Sequence, residues 1–496
     1  MTTSHKRKRI FPSPSWAWPK NSLEALILAA AHPDETLAFQ IFARWMRDHD
    51  IDDVSWAEQR LLLAVAERFP GSRFDVDNRG RLNGLVRVFW TKSKLALKVA
   101  DPAIAALQRE GIDCLIFKGA ARTLEEAVTV KGRVANDVDI MVQPSHFKQA
   151  IEILCHNGWQ ADNGFSLLRC RAHTSAMTGL NFRKGDFGDV DLHQSVVHKL
   201  GRSASYDQQV WKRSKYVDFQ GNRVRVPGQT DQLLIAIQHG SVEGHAHSDW
   251  LLDCVAIIKT GEVDWTLFLN YCQSLDLNVN ALITLSYLSS ALNINVPKDI
   301  FKKLVRSSRS TPIEYFSALF QARPKEDHGI ASDLLRSFFK QRRLRARRRA
   351  SRAQMADVLL SISLTAIPYK TDGLQPEYTL KATHTVSSKS TDLTIELLVP
   401  VIDKTRRYEF ELNTDDQHLA RLTYKHRHKS CMLCLTAKIK TAHFPNWPTD
   451  AASQDVQLTL EARPRRVMSR DANNEVRELN DATPFALLKF KSTENG

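Results

Sequence analysis

The sequence has few cysteines, a shortage of acidic residues relative to basic ones, and no long apolar run. Its seven cysteines are an odd number scattered along 496 residues, which argues against a disulfide framework and fits a reducing compartment. No apolar run approaches the roughly 18 residues of a membrane span. Residues 1–20 carry a basic patch but lack the apolar segment of a signal peptide. We therefore expect a cytoplasmic protein with no membrane partner.

The excess of basic residues is the strongest bias in the composition. The chain has 69 Lys and Arg against 55 Asp and Glu, which gives a formal net charge of +14. Such a balance favours anionic partners, among them nucleotides, RNA, DNA and acidic proteins, although it would also arise from a well-solvated surface.

The densest basic run lies in a helix predicted from Ala331 to about Ser363. It contains Arg342, Arg343, Arg345, Arg347, Arg348 and Arg349. Arginines this close repel one another unless an anion compensates their charge, so one interpretation is contact with RNA or another polyanion. A solvated helix, or one that pairs with acidic residues of the same fold, explains the run equally well.

A strand-glycine-helix turn is predicted around Gly119. The apolar run at 114–117 is typical of a short buried strand, and residues 120–128 are compatible with a helix. The unpaired backbone N–H groups at such a helix start suit a phosphate, and Lys118 would add a full positive charge beside them.

Two predicted strands carry acidic residues at every second position. Asp137 and Asp139 would share one face of the first strand, and Asp189, Asp191 and His193 would share one face of the second. Clustered carboxylates repel one another unless a hard cation lies between them. The ligands that Mg²⁺ or Mn²⁺ takes are carboxylate and phosphate oxygens, so the pattern predicts a site for these ions.

Taken in order, these motifs resemble one known family. The chain has the Lys118-Gly119 turn, Arg133 before Asp137-x-Asp139, Asp191-Leu192-His193, His239-Gly240, Trp250-Leu251-Leu252-Asp253 and Asp264-Trp265. This order resembles the uncharacterised nucleotidyltransferases of the polymerase-beta-like superfamily. The resemblance extends over roughly residues 22–300 and reaches toward 370. The superfamily usually opens with a Gly-Ser or Gly-Gly pair, where this chain has Lys118-Gly119.

The resemblance implies an enzyme of the EC 2.7.7 type that moves a nucleoside monophosphate from an NTP to an unidentified acceptor and releases pyrophosphate. Asp137 and Asp139 would bridge two Mg²⁺ (or Mn²⁺) ions on the triphosphate. Asp191 would hold the second metal and orient or deprotonate the acceptor hydroxyl.

Further residues would contact the substrates. Lys118 and Gly119 would hold phosphate oxygens, and Arg133 would neutralise charge on the leaving group. His193 is a candidate for contact with the acceptor.

Three other functions stay open. One is a related phosphoryl chemistry, such as phosphate transfer to a protein. Another is a degenerate transferase core that acts as a nucleic-acid-binding or interaction protein. A third is a toxin or defence nucleotidyltransferase that modifies tRNA or protein.

The predicted fold class is α+β, with a polymerase-beta-like core of a small mixed sheet and helices, flanking helical layers, and a C-terminal antiparallel β domain. The predicted regions are a basic disordered tail (1–20), an N-terminal helical region (21–110), the nucleotidyltransferase α/β core (111–200), a helical region (201–330), a polybasic helix or linker (331–370), a β-rich domain (371–470) and a C-terminal tail (471–496).

The β-rich domain contains four residues of zinc-ligand type, His426, His428, Cys431 and Cys434. They form one half-site only, and on a strand the two cysteines would face opposite sides. Zinc binding therefore stays open, and core or surface positions are the simpler expectation.

Overall fold

The computed structural model describes most of the chain. The described residues are 13–69, 76–125, 135–162, 170, 174, 177–197, 204–242, 248–308, 312–355, 360–368, 378–400, 407–414, 418–425, 432–444, 447, 455–462, 465–470, 476–481 and 485–494. They form a mixed α+β structure, as the sequence predicted, in two compact units. The first comprises Met1–His146 and Phe182–Arg349, and the second Phe147–Asn181 and Ala350–Gly496.

Four helices precede the first sheet. They are α1 (Asn21–Ala31), α2 (Glu35–Asp48), α3 (Trp56–Arg68) and α4 (Val76–Arg109). The apolar spacing of α1 buries Leu23, Leu26 and Ile27. Ser55 and Glu58 form a capping box that fixes the start of α3, because each side chain satisfies a backbone N–H that the helix leaves unpaired.

Part of the predicted disordered tail is ordered. Residues Pro14–Ala17 form a short 3-10 helix. The ring of Trp16 lies 4.7 Å from that of Phe320, and the guanidinium of Arg323 lies 4.5 Å above the Trp16 ring. These long-range aromatic contacts are not visible in the local composition of the tail.

The central sheet supports the candidate site. Its region contains β1 (Leu115–Phe117), α5 (Lys118–Leu124), β2 (Val138–Met141), α6 (Phe147–His156), β3 (Gln160–Ala161), β4 (Gly179–Lys184), β5 (Gly188–His193), α7 (Ala204–Arg213), β6 (Lys215–Phe219) and β7 (Asn222–Val226). Within the first unit the strand order is β5-β2-β1-β7-β6. The sheet is mixed, because β2 runs parallel to β5 and antiparallel to β1, while β7 runs parallel to β1.

In the second unit, α6 ends near Gly158, which has φ +81. This left-handed φ is the conformation of a glycine cap at the end of a helix.

Helices dominate the rest of the first unit. They are α8 (Gln229–Ile237), α9 (Trp250–Lys259), α10 (Trp265–Ser274), α11 (Asn278–Ala291), α12 (Lys298–Ser307), α13 (Pro312–Ala322) and α14 (Ile330–Met355). A single π-helical turn, Gln238–Val242, follows α8. No helix in the described ranges is both long and apolar enough to cross a membrane.

The polybasic helix is shorter than predicted. It ends at Met355, and the next described residues, Leu360–Ser363, form β8. The alternating Leu-Ser-Ile-Ser sequence pairs in parallel with a strand of the C-terminal domain, and this long-range pairing overrides the helical pattern.

The C-terminal part of the second unit is a β domain of two main sheets. Its strands are β8 (Leu360–Ser363), β9 (Thr365–Pro368), β10 (Lys381–Ser387), β11 (Ser390–Pro400), β12 (Arg407–Asn413), β13 (His418–Lys425), β14 (Met432–Lys440), β15 (Asp455–Ala462), β16 (Arg465–Arg470), β17 (Val476–Asp481) and β18 (Ala486–Glu494). The orders are β10-β15-β12-β13-β8 and β18-β11-β14-β9, with β16 and β17 as a separate pair. Apolar residues of both main sheets form one core.

Two of these strands lie in the predicted C-terminal tail. β17 pairs with β16, and β18 pairs along β11. The tail prediction was therefore wrong at 476–481 and 486–494, because an edge position in a sheet depends on a distant partner strand.

Candidate active site

Two acidic residues oppose each other on neighbouring parallel strands of the central sheet. In the register of β2 and β5, Asp139 is the partner of Asp191, and Met141 is the partner of His193. One ligand atom from each of Asp139, Asp191 and His193 lies within 4.8 Å of the others. The pairing of two strands therefore assembles a compact Asp-Asp-His group from distant parts of the sequence.

The Asp139 carboxylate is buried and accepts two contacts at one oxygen. Its side chain is 2% exposed. Its Oδ1 lies 2.6 Å from the Lys118 ammonium Nζ and 3.1 Å from His193 Nε2. The Lys118 contact provides the charge partner that a buried carboxylate needs.

Lys118 lies at the turn from β1 to α5, as the sequence predicted, but with an unusual backbone. Its φ is +55, in the left-handed region that costs a residue with a Cβ on the order of 1 kcal/mol. The sequence suggested Gly119 as the turn residue, yet Gly119 lies buried in the first turn of α5. Phe117, which pairs with Asp139 across β1 and β2, packs its ring 5.0 Å from that of His193. Packing and an ion pair thus hold the strained turn.

Asp191 differs from Asp139 in having no such partner. Its Oδ1 is buried and has no hydrogen-bond partner among the described residues. Burial, and after it the negative charges of Asp139 and Asp137, raise the pKa of Asp191 from 3.8 to about 8. A divalent cation would reverse this effect, since it supplies the positive charge that the carboxylates lack. The donor set and the unpartnered oxygen both fit Mg²⁺ or Mn²⁺.

The other predicted site residues lie at different places. Asp137 is half-buried in a bend directly before β2, outside the Asp-Asp-His group, and adds negative charge near Asp191. Arg133 falls in 126–134, outside the described residues. In the basic run, Arg342 is exposed on α14; the backbone of 343–349 is helical.

A buried polar network anchors the far end of α5, and sequence reasoning missed it. The carboxylate of Glu125 is contacted by Arg122 Nη1 (2.6 Å), Lys215 Nζ (3.0 Å), Gln229 Nε2 (3.1 Å) and Gln232 Nε2 (3.1 Å). In the sequence, this network is indicated locally only by the i, i+3 spacing of Arg122 and Glu125, which lets the two side chains pair. Because α5 is fixed to α8 at this end, its first residue, Lys118, is held against β2.

Two of the later sequence motifs have architectural roles. A Cβ added to Gly240 would lie 2.0 Å from Cδ2 of Trp250, so the glycine lets the backbone meet the indole face. Asp264 caps α10, accepting backbone N–H groups at 2.9 Å. Asp253 is buried in α9, and two histidines of this region fall in 243–247, outside the described residues.

The possible zinc ligands are only partly described. His426, His428 and Cys431 lie outside the described residues. Cys434 is buried in β14 opposite Leu398, and burial raises the pKa of its thiol. A buried thiol that stays protonated is a core residue.

A carboxylate pair beside a lysine at a strand-helix turn is suited to binding a divalent cation and a phosphate, the chemistry of nucleotidyl transfer. Residues 77–293 match the family described as "Uncharacterised nucleotidyltransferase". The match confirms the resemblance over this part of the chain.

Three solved structures of nucleotidyltransferases are similar to parts of the chain. The lincomycin-bound lincosamide antibiotic adenylyltransferase LnuA is 12% identical, with 28% of this chain and 83% of that chain covered, and a TM-score of 0.20. The antibiotic-resistance factor ANT(2'')-Ia is 10% identical, with 50% and 94% covered and a TM-score of 0.21. An antigenic nucleotidyltransferase-like protein from Paracoccidioides brasiliensis is 16% identical, with 42% and 98% covered and a TM-score of 0.27.

At these TM-scores the three structures carry no argument about this chain's substrate or mechanism. No curated protein matches the sequence.

Proposed function

We propose that the protein is a metal-dependent, cytoplasmic nucleotidyltransferase with a polymerase-beta-like core, which moves a nucleoside monophosphate from an NTP to an acceptor and releases pyrophosphate. One observation carries the proposal. Asp139 and Asp191 oppose each other on β2 and β5, and a buried Asp191 oxygen has no partner among the described residues. The match of residues 77–293 to a nucleotidyltransferase family supports it.

The acidic residues would bind the cation and the acceptor. Asp139 and Asp191 would hold Mg²⁺ or Mn²⁺, with Asp137 adding a ligand or negative charge. The cation would neutralise the triphosphate in an in-line displacement. Asp191 would also orient the acceptor hydroxyl or receive its proton, a role open to a carboxylate that the bound cation keeps ionised.

The remaining residues would bind phosphates and the acceptor. Lys118 and the backbone at Gly119 would hold phosphate oxygens, because a flexible ammonium can leave its carboxylate for a more highly charged partner. Arg133 would neutralise the leaving pyrophosphate. His193, which contacts Asp139, would orient that carboxylate and face the acceptor.

Calorimetric titration of the four NTPs with Mg²⁺ tests the proposal. Wild type should bind at least one NTP only when Mg²⁺ is present, and Asp139→Asn should lose this binding while remaining folded by circular dichroism. Asp189→Asn is a matched control, since Asp189 is on the same strand but pairs with Arg183. Absence of Mg²⁺-dependent binding in wild type would refute the proposal.

The preferred NTP, labelled at its α-phosphate, would then be incubated with tRNA and with protein fractions. Label transferred to either class identifies the acceptor and tests the toxin or defence function directly.

One observation favours a second candidate function, a degenerate core that binds a polyanion. Lys118 already neutralises Asp139 at 2.6 Å, and Arg342 is exposed on α14 at the start of the arginine run. RNA binding followed by fluorescence anisotropy should weaken with salt and with replacement of the run by glutamine. RNA affinity that is unchanged by the replacement would exclude this use of the helix.

A further inference from the structure

Lys118 forms an ion pair with Asp139, one of the carboxylates that would bind the cation. Its Nζ lies 2.6 Å from Asp139 Oδ1, and the two side chains are 13% and 2% exposed. At this distance and degree of burial, the ammonium compensates most of the carboxylate charge. Asp139 therefore has a positive partner supplied by the protein itself.

The ammonium and a divalent cation would compete. Atoms of Asp139, Asp191 and His193 lie within 4.8 Å of one another, so a cation held by this group would be close to the Lys118 Nζ. Two positive charges at such a distance repel strongly in a buried environment. Binding a cation at Asp139 therefore requires the Lys118 contact to be broken or lengthened.

The Asp191 side of the group would attract the cation. Asp191 Oδ1 is buried without a hydrogen-bond partner among the described residues, and the negative charges of Asp137 and Asp139 act on this carboxyl. The single positive charge of Lys118 thus lies near the three carboxyl groups of Asp137, Asp139 and Asp191. The site attracts a second positive charge at Asp191 while Lys118 excludes it from Asp139.

The turn between β1 and α5 keeps Lys118 beside Asp139, where its ammonium would compete with a cation. Its φ is +55, and its Nζ lies 5.3 Å from the centroid of the Phe117 ring, which adds a cation–π attraction. A strained backbone that persists needs support from its surroundings, and the ion pair gives that support.

We propose that Lys118 is an internal counter-cation that makes metal binding at Asp139 depend on the nucleotide. Without nucleotide the ammonium occupies Asp139 and free Mg²⁺ or Mn²⁺ binds weakly. A polyphosphate offers the ammonium a stronger partner, and its departure opens Asp139 to the metal. The inference rests on the proposed function, because it requires that this site bind a cation and a nucleotide together.

Titration of Mn²⁺, with the free ion measured by electron paramagnetic resonance, tests the inference without an activity assay. Lys118→Met should bind Mn²⁺ about ten- to a hundredfold more tightly than wild type in the absence of nucleotide, since one charge-assisted contact no longer has to be broken. Lys118→Arg, which keeps the charge, should bind as weakly as wild type. Lys118→Met/Asp139→Asn should lose the gain.

A non-hydrolysable NTP analogue should bring the Mn²⁺ affinity of wild type close to that of Lys118→Met. Thermal unfolding is a second measurement. Without metal, Lys118→Met should melt below wild type because Asp139 loses its charge partner, and saturating Mn²⁺ should remove this difference in melting temperature. Lys118→Gln serves as a second neutral variant if Lys118→Met does not fold.

Two failures can be told apart. Wild-type Mn²⁺ binding that needs Asp139 but is equally tight in Lys118→Met would overturn the counter-cation and leave the metal site intact. Absence of Mn²⁺ binding both in Lys118→Met and in wild type with the analogue would overturn the inference together with the proposed function.

Discussion

Replacing Asp191 with asparagine should make the protein more stable and unable to bind its cation. Ionised Asp191 is half-buried beside Asp139 and Asp137, and its pKa is raised from 3.8 to about 8, chiefly by burial. Without a metal, the folded state has to accommodate this charge. Asparagine keeps the size and removes the charge, so Asp191→Asn should relieve the repulsion.

The magnitude follows from the two pKa values. At 1.36 kcal/mol per pH unit, a rise from 3.8 to about 8 sets an upper bound of about 6 kcal/mol. Solvent screening and structural relaxation at a half-buried site reduce this free-energy difference. We therefore expect Asp191→Asn to stabilise the folded state by about 1–3 kcal/mol. The gain should be complete above pH 8, where the folded wild type is ionised at Asp191. It should decline as the pH falls and vanish below pH 4, where this carboxyl is protonated in both states.

Thermal unfolding at pH 5.5 and pH 9 measures the effect, with metal removed by a chelator. Asp191→Asn should melt a few degrees above wild type at pH 9, and the difference at pH 5.5 should be half of that or less. Mn²⁺ added together with the non-hydrolysable NTP analogue should raise the melting temperature of wild type but not of the variant. Asp189→Asn, whose partner Arg183 is 51% exposed, should change stability by less than about 1 kcal/mol.

A variant less stable than wild type at pH 9, or a gain that is equal at both pH values, would refute this account of Asp191.

Two further predictions concern the helices around the site. Gly240→Ala should destabilise the protein by about 1–3 kcal/mol or more in urea unfolding and shift the fluorescence of Trp250, because the new Cβ would overlap its ring at 2.0 Å. Gly84→Ala is the control, since nothing lies within 4 Å of a Cβ there, and a helix-interior alanine should stabilise by about 1 kcal/mol. Arg60→Met should cost about 3–5 kcal/mol, because it removes the guanidinium that lies 2.6 Å from the buried Asp249 carboxylate. Adding Asp249→Asn to Arg60→Met should restore much of the lost stability. A double variant no more stable than Arg60→Met would contradict the explanation that a buried charge causes the loss.

The sequence by itself determined most of the local structure. The helical region predicted from residue 21 contains the helix that buries Leu26 and Ile27, and the glycine at position 158 suffices to end α6. The alternating runs of the C-terminal part predicted its antiparallel strands, such as β11 and β14. These features follow from side-chain periodicity and from backbone preferences, which operate over a few residues.

The sequence also indicated the chemistry of the candidate site. An acid at every second position put Asp189 and Asp191 on one face of β5, and the Lys118-Gly119 pair marked the strand-helix turn. Residue type and short-range spacing suffice for such expectations, because a carboxylate or an ammonium brings its charge wherever the chain folds.

Only the tertiary structure decided which charges meet. The register of β2 and β5 brings Asp139 beside Asp191, and the fold places Lys118 against Asp139. The contact between the backbone at Gly240 and the face of the Trp250 ring is likewise set by the tertiary structure. Partner choice at long range depends on strand order, burial and the loss of solvent around a charge. These quantities exist only when the whole chain is folded, because a buried carboxylate must take the positive partner that the fold brings within reach.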